Sequence, residues 1–163
     1  MPKVAVIMGS DSDLPVIKGC IKLLKDFGVD TEVSVISAHR TPDRAAEFAK
    51  NAEANGFDVI IAAAGKAAHL PGVLAAYTTL PVIGIPIKSS TLDGLDSLLS
   101  IVQMPKGIPV ATVAVDGADN AALLTIQILG VSNSDLRKKM KEYKQKMAEE
   151  VEERDQKVKK EIM

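Results

Sequence analysis

The sequence predicts an α/β fold of three layers, in which a five-stranded, doubly wound parallel sheet lies between two layers of helices. One long helix follows at the C-terminal end. Through the first 130 residues, short apolar or β-branched runs alternate with segments whose apolar residues recur at helical spacing. Such alternation is typical of parallel sheets covered by helices on both faces. The chain has 163 residues, whereas a closed eight-stranded barrel needs roughly 250, so an open sheet is favoured.

The five predicted strands are short and mostly apolar, and Gly9 ends the first of them. The third is apolar after its first residue, as expected for a strand that is buried on both faces. The predicted strands are Val4–Met8, Thr31–Ile36, Asp58–Ala63, Pro81–Ile85 and Pro109–Val115.

Five helices are predicted between and after these strands. Gly28 and Gly56 are typical stops after the first two helices, and Thr41 is a candidate N-cap of the second. The predicted helices span residues 13–27, Pro42–Asn55, Ala67–Tyr77, Leu95–Val102 and Ala118–Leu129.

The C-terminal segment has a different composition. Residues 133–163 contain ten Lys or Arg and eight Asp or Glu. We predict an α/β domain over residues 1–132, which carries the chemistry, and an amphipathic helix over 133–163 that packs on that domain or on a neighbouring subunit. The apolar residues of this helix fall on one narrow stripe, formed by Leu136, Met140, Tyr143, Met147, Val151, Val158 and Ile162.

The composition excludes several classes of function. A net charge of −1 gives no strong field toward DNA or an anionic membrane, and 3% aromatic residues without Trp disfavour a stacking platform for single-stranded nucleic acid. No apolar stretch approaches the ~18 residues of a membrane-spanning helix, and the N-terminus has no signal-peptide pattern. The single cysteine, Cys20, is expected to be a buried thiol, so we expect a cytoplasmic location.

The loops that follow the strands form the candidate site, because ligands of open parallel sheets bind beyond the carboxyl ends of the strands. After the first strand, Ser10 and Ser12 offer hydroxyls beside a helix N-terminus, a combination that suits phosphate. The neighbouring Asp11 and Asp13 do not suit an anion, unless one of them faces a sugar hydroxyl instead. The alternative is structural: Ser12 or Asp13 caps the helix, with Pro15 in its first turn.

The loop after the second strand places His39 and Arg40 beside the hydroxyls of Ser37 and Thr41. Arginine suits bidentate binding of phosphate, and a neutral imidazole suits proton transfer near pH 7. The alternative is an ordinary surface histidine.

The loop after the third strand combines small residues, which let a flat ligand approach the backbone, with the other histidine of the chain. It is not a Walker phosphate loop, because the earlier glycine is missing and Ala67 stands where Ser or Thr would bind magnesium. Two histidines without a third ligand do not predict a metal site. The candidate residues of this loop are Ala64, Gly65, Lys66, Ala67, His69 and Leu70.

Together these loops resemble those of the 5-aminoimidazole ribonucleotide carboxylase family, and within it the bacterial N5-carboxyaminoimidazole ribonucleotide mutases of purine biosynthesis. The combination of MGSDSD, SAHRTPD and AAHLPG carries the resemblance. Ala63 and Lys66 depart from the family pattern, in which we expect glycines at these positions. The matching segments cover nearly all of residues 4–130: they are 8–13, 37–43, 67–72, 81–87, 94–105, 109–115 and 120–124.

The resemblance implies a flavodoxin-like fold, an octamer with active sites at subunit boundaries, and a role for each loop residue. His39 would be the general acid/base, and Ser10 and Arg40 would bind the phosphate. Asp13 would bind the ribose hydroxyls. Ser12 and Ser37 would support these contacts, and the wall near the base and carboxylate would be formed by Ala64, Gly65, Lys66, Ala67, His69 and Leu70.

The resemblance also implies the reaction. The carboxylate on the exocyclic nitrogen of a ribonucleotide would leave as CO2 and be captured by C4, without a metal, biotin or nucleotide cofactor. A separate ATP-dependent N5-carboxyaminoimidazole ribonucleotide synthetase would supply the substrate. Two alternatives remain open: a carboxylase that uses free CO2, and a non-enzymatic flavodoxin-like binding module. The second is disfavoured by the low aromatic content and by Ala64-Gly65-Lys66, where a phospho-receiver has its aspartate.

Overall fold

The structure, a computed structural model, describes all 163 residues and contains one five-stranded parallel sheet. The strand order β2-β1-β3-β4-β5 is that of a doubly wound α/β fold, so the predicted fold class is confirmed. The strands are β1 (Lys3–Met8), β2 (Asp30–Val35), β3 (Val59–Gly65), β4 (Val82–Ile87) and β5 (Ala111–Thr112).

The predicted helices are all present, and Leu95–Val102 and Ala118–Leu129 have the predicted ends. The second helix ends at Asn51 rather than Asn55, and the third begins at Leu70 because the chain first makes a turn in which His69 N–H donates to Ala67 C=O at 2.9 Å. A short 3₁₀ turn, Asp11–Asp13, precedes the first helix. The helices are α1 (Leu14–Asp26), α2 (Pro42–Asn51), α3 (Leu70–Tyr77), α4 (Leu95–Val102), α5 (Ala118–Leu129) and α6 (Ser134–Ile162).

The fifth strand is much shorter than the predicted Pro109–Val115, since only Ala111 and Thr112 pair with β4. The next backbone bonds run from Val113 N–H to Gly84 C=O and from Asp116 N–H to Pro86 C=O. Pro86 therefore faces β5 but has no N–H to donate, so the ladder cannot continue there. A proline in β4 thus explains why the prediction for this strand was wrong in its length.

The core is formed by strands that are buried on both faces. β3 is buried from Val59 to Ala64, as its continuous apolar sequence predicted. On one face of the sheet, Ile7 and Ile60 pack in a cluster with Ala45 of α2 and Leu74 of α3. This packing holds the strands rigidly, so the loops at their carboxyl ends start from fixed positions.

Cys20 of α1 is fully buried and forms no disulfide, as predicted. Burial, together with the nearby negative charge of Asp119, raises the pKa of its thiol to about 12. The thiol is therefore protonated at neutral pH and serves as a small core residue.

The chain divides into two compact units, residues 1–125 and 126–163. In the second unit, Asn133 caps α6 by accepting hydrogen bonds from the N–H groups of Asp135 and Leu136, each at 3.1 Å. Leu136 and Met140 are buried, whereas Val151 and the residues of the stripe beyond it are exposed. None of the helices combines the length and the apolar character that crossing a bilayer requires.

The contact between β4 and α4 should be the part of the core least tolerant of added volume. A Cβ atom at Gly84 would overlap the side chain of Ile101 and meet Val110 at 3.1 Å. We expect Gly84→Ala to lower the free energy of unfolding by about 1–3 kcal/mol, the usual cost of overpacking. Urea denaturation measures this. Gly9→Ala is the control, because a Cβ there meets only Ala63 C=O at 3.8 Å and should cost far less.

Candidate active site

A cavity of about 620 Å³ lies at the carboxyl edge of the sheet. Loops that follow β1, β2, β3 and β4 line it, as the rule for parallel sheets predicts. All twelve residues selected from the sequence line this cavity: Ser10, Ser12, Asp13, Ser37, His39, Arg40, Ala64, Gly65, Lys66, Ala67, His69 and Leu70.

The loop after β1 is held by hydroxyl hydrogen bonds. Ser10 Oγ accepts from Ser12 N–H at 3.2 Å and lies 2.8 Å from Ser12 Oγ. Ser10 is thus the N-cap of the 3₁₀ turn. Asp13 occupies the N-cap position of α1 with Pro15 in the first turn, as the structural alternative predicted, but its side chain makes no cap bond.

Asp13 presents a carboxylate in a buried position, with only 7% of the residue exposed. Burial raises its pKa above the ordinary value of 3.8; a backbone hydrogen bond with Ser10 lowers it, and the charges of Asp11 and Asp116 raise it further. A buried carboxylate needs hydrogen-bond donors. The two hydroxyls of a ribose would supply such donors.

The loop after β2 closes on itself. Thr41 Oγ1 accepts from Ser37 N–H at 3.0 Å and donates to Ser37 C=O at 3.0 Å, and Arg40 N–H donates to Ser37 Oγ at 3.1 Å. Thr41 occupies the N-cap position of α2 as predicted, but its hydroxyl is used by Ser37 and makes no cap bond. The closed turn holds His39 and Arg40 at the cavity, and the Arg40 guanidinium has no ion-pair partner within the chain.

The two histidines of the chain meet in the cavity, although 30 residues separate them. His39 Nε2 lies 2.7 Å from His69 Nδ1, and the two ring planes are inclined by 74°. This is hydrogen-bond geometry rather than stacking. Sequence reasoning placed both residues at the site but did not predict the bond between them.

The loop after β3 brings small residues together with the side chains of Lys66 and His69. Lys66 has a φ of 55°, in the left-handed region that glycine adopts without strain. Gly65 packs beside Ile87, where a Cβ would lie 3.6 Å from the Ile87 Cβ. Gly65 and Ala67, the small residues on either side of Lys66, also line the cavity.

The loop after β4 lines the cavity too, and sequence reasoning missed it. Lys88 N–H donates to Asp116 Oδ1 at 2.9 Å, and Ser89 Oγ donates to Asp96 Oδ1 at 2.7 Å. The sequence did contain a signal for this loop: the polar residues Lys88, Ser89 and Ser90 directly follow the apolar strand β4, as polar residues follow β1 and β2. The missed lining residues are Gly9, Ala38, Ile87, Lys88, Ser89 and Ser90.

The charged residues around the cavity favour an anionic ligand. Arg40 and Lys66 line the cavity without an ion-pair partner in the chain, whereas Lys88 Nζ lies 3.5 Å from Asp93 Oδ1 and Asp13 supplies the lining carboxylate. No group of three or more His, Cys, Asp or Glu side chains is arranged to hold a metal ion. The site therefore combines an anion-binding end, a buried carboxylate and a pair of imidazoles.

Comparison with known proteins assigns the family. The sequence model described as "AIR carboxylase" matches residues 3–150. The chain belongs to the AIR carboxylase family.

Relatives of this AIR carboxylase family member carry two different names. The N5-carboxyaminoimidazole ribonucleotide mutase of Thermotoga maritima is 59% identical, over 97% of this chain and 92% of that protein. The phosphoribosylaminoimidazole carboxylase of Saccharomyces cerevisiae is 57% identical over 92% of this chain but only 26% of that protein. The crystal structure of Treponema denticola PurE matches with a TM-score of 0.88 and 29% identity, covering 96% of this chain and 98% of that one.

The buried carboxylate of Asp13 should cost stability at neutral pH. Because its pKa is raised in the folded state, its contribution favours folding below the ordinary value of 3.8 and is lost as the pH rises through the folded-state value. We expect Asp13→Asn to unfold at a higher temperature than the parent at pH 7. This gain should shrink as the pH is lowered toward 3.8. Thermal unfolding across this pH range measures it, and an Asn variant less stable than the parent at pH 7 would contradict it.

Proposed function

We propose that this chain is an N5-carboxyaminoimidazole ribonucleotide mutase, which moves a carboxylate from the exocyclic nitrogen to C4 of aminoimidazole ribonucleotide in purine biosynthesis. The observation that carries the proposal is the meeting of His39, Arg40 and Asp13 in one cavity of a family member. The Thermotoga maritima mutase, which this chain matches over most of its length, supports the same reaction.

The phosphate end of the substrate is proposed to bind between the loops after β1 and β2. Arg40 has no partner within the chain and supplies a forked cation, while Ser10 and Ser12 supply hydroxyls. Asp13 lies in the same loop as the serines and would accept hydrogen bonds from the ribose.

The base and its carboxylate are proposed to lie against the loop after β3. The small side chains of Ala64, Gly65 and Ala67 let a flat imidazole ring approach the peptide groups, and Leu70 adds an apolar contact. The carboxylate would then lie on the side of the cavity that carries the two histidines.

The proton balance of the reaction requires one proton to be donated and one to be accepted. The exocyclic nitrogen gains a proton when its carboxylate leaves as CO2, and C4 loses a proton after it has captured that CO2. One imidazole can perform both transfers in turn. We assign them to His39.

The second candidate function is that of a carboxylase that uses free CO2. The similarity of this chain to the Saccharomyces cerevisiae carboxylase is the observation that supports it. Supplying the carbamate substrate without bicarbonate or ATP distinguishes the two. A mutase forms the C4 carboxylate under these conditions, whereas a carboxylase would need added bicarbonate. A flavodoxin-like binding module without catalytic activity would form no product in either case.

We further propose that the protein acts as a homo-octamer in the cytoplasm, with each site at a subunit boundary and an ATP-dependent synthetase supplying the substrate. His39, Arg40 and His69 are exposed on the single chain, whereas trapping CO2 needs a closed pocket. The stripe of α6 also leaves Val151 and Ile162 exposed, which favours a partner surface. Sedimentation of the native protein tests the octamer, and truncation after Asn133 tests whether α6 is needed for it.

Replacing His39 by Asn should remove turnover and spare binding. The amide keeps the size and polarity of the side chain but cannot shuttle a proton, so we expect kcat to fall by about 10²–10⁴. The dissociation constant of the substrate should change only slightly. Steady-state kinetics and calorimetric binding measure the two quantities, and a kcat close to that of the parent would disprove the assignment.

Replacing Arg40 by Ala should weaken binding of the 5′-phosphate. Loss of a charge-assisted hydrogen bond costs about 1.5–3 kcal/mol, so we expect KM to rise by roughly 10–150-fold at 25 °C. Arg44→Ala is the matched control. Arg44 lies in the first turn of α2, four residues after Arg40, but its guanidinium donates to Val35 C=O and it does not line the cavity. If the parent used the dephosphorylated nucleoside as well as the nucleotide, the role of Arg40 would be wrong.

A further inference from the structure

The hydrogen bond between the two histidines assigns roles to individual ring nitrogens. It joins His39 Nε2 to His69 Nδ1 at 2.7 Å, and it is the only hydrogen bond that either imidazole makes within the chain. His39 Nδ1 and His69 Nε2 are therefore the two ring nitrogens that remain for other contacts. An N–H···N bond has one hydrogen between its two nitrogens, so one ring donates and the other accepts.

The backbone holds both rings in place. The turn that carries His39 is closed by Thr41 N–H, which donates to Ser37 C=O at 2.9 Å, in addition to the hydroxyl bonds of Ser37 and Thr41. His69 is the N-cap of α3, and its C=O accepts from Val73 N–H at 2.9 Å. Because both rings extend from backbone with regular hydrogen bonds, their contact is a built feature of the site.

From this geometry we infer that His69 is a positioning residue that accepts a hydrogen bond from His39 Nε2–H and so keeps His39 Nδ1 as the nitrogen that exchanges protons with the substrate. The inference rests on the proposed function for its chemical consequence, but the hydrogen bond can be tested without activity. It gives His69 a role that is different from forming part of the pocket wall.

The proton balance is consistent with one arrangement throughout the cycle. Protonated His39 carries one hydrogen on Nε2, bound to His69 Nδ1, and one on Nδ1, which it donates to the exocyclic nitrogen as the N–CO2 bond breaks. Neutral His39 then keeps Nε2–H, and its free Nδ1 accepts the proton that leaves C4 after the new C–C bond has formed. His39 returns to its starting state, and His69 stays neutral with its own hydrogen on Nε2.

The same bond requires that one of the two facing nitrogens carries no hydrogen. If both rings were protonated, both nitrogens of the short contact would carry hydrogens and the bond would be lost. Arg40 and Lys66, which line the same cavity and have no ion-pair partner in the chain, also disfavour a second positive charge on the pair. His69 therefore remains available as an acceptor while His39 is charged.

Three variants of His69 separate this role from a structural one. An Asn side chain places its amide oxygen near the position of Nδ1, so His69→Asn can still accept from His39. A Gln side chain is longer and places its amide near the position of Nε2, and His69→Leu has no polar group. We expect His69→Leu and His69→Gln to lose about ten- to hundredfold in kcat with little change in KM, the effect of losing one charge-assisted hydrogen bond. We expect His69→Asn to keep kcat within a few-fold of the parent.

A second measurement does not depend on turnover. The chain contains only two histidines, so a protein with ¹⁵N-labelled imidazoles gives four ring-nitrogen signals. We expect His39 to be in its Nε2–H tautomer in the parent and in His69→Asn, and to become a mixture of tautomers in His69→Leu. Thermal unfolding should be similar for all variants.

The outcomes are distinct. The inference would be overturned if His69→Leu had the kcat of the parent, or if the kcat of His69→Asn were no higher than that of His69→Leu. It would also be overturned if the tautomer of His39 were the same in the parent and in His69→Leu. If the parent fails to convert the carbamate substrate, the proposed function is wrong, while the nitrogen signals still decide whether His69 orients His39.

Discussion

The register of the parallel strands is the constraint on which the site depends. Met8 of β1 pairs with both Val35 of β2 and Ala63 of β3, so three strands end at the same edge of the sheet. Gly9 N–H then donates to Ala63 C=O at 3.1 Å and continues the alignment past the end of β1. A shift of one residue in either pairing would turn the buried side chains of the strand to the opposite face. The packing of the core therefore also determines which loops surround the cavity.

This constraint explains why so much of the site could be predicted. The ends of the strands follow from local sequence patterns. The general rule that ligands bind beyond the carboxyl ends of parallel strands then gives the position of the site. The contact between His39 and His69 depends on ring orientations in loops 30 residues apart, which no local pattern contains. The shortened β5 was missed for a similar reason, because its length is decided by Pro86 in the neighbouring strand.

Local hydrogen bonding was predicted less well than topology. Ser and Thr near a helix start are usually N-caps, yet here Thr41 bonds to Ser37 and closes the loop that carries His39. Ser10 likewise caps a 3₁₀ turn rather than α1 itself. In both loops, hydroxyls that could stabilise a helix instead fix the turn in front of it. The turns are the parts that present functional side chains, so these bonds stabilise the site rather than the helices.

Lys66 shows how the site and the stability of the chain are linked. Its left-handed backbone conformation costs about 1–2 kcal/mol for a residue with a Cβ atom, and glycine would avoid that cost. Lysine keeps the same backbone path and adds a positive charge to a cavity that already holds Arg40 and Lys88. For the anionic ribonucleotide proposed as the substrate, an added cation at the cavity is an electrostatic gain. The backbone strain at Lys66 and the buried carboxylate of Asp13 both lower the folding stability of the chain. Each also places a charged side chain at the cavity, where a charged ribonucleotide is proposed to bind.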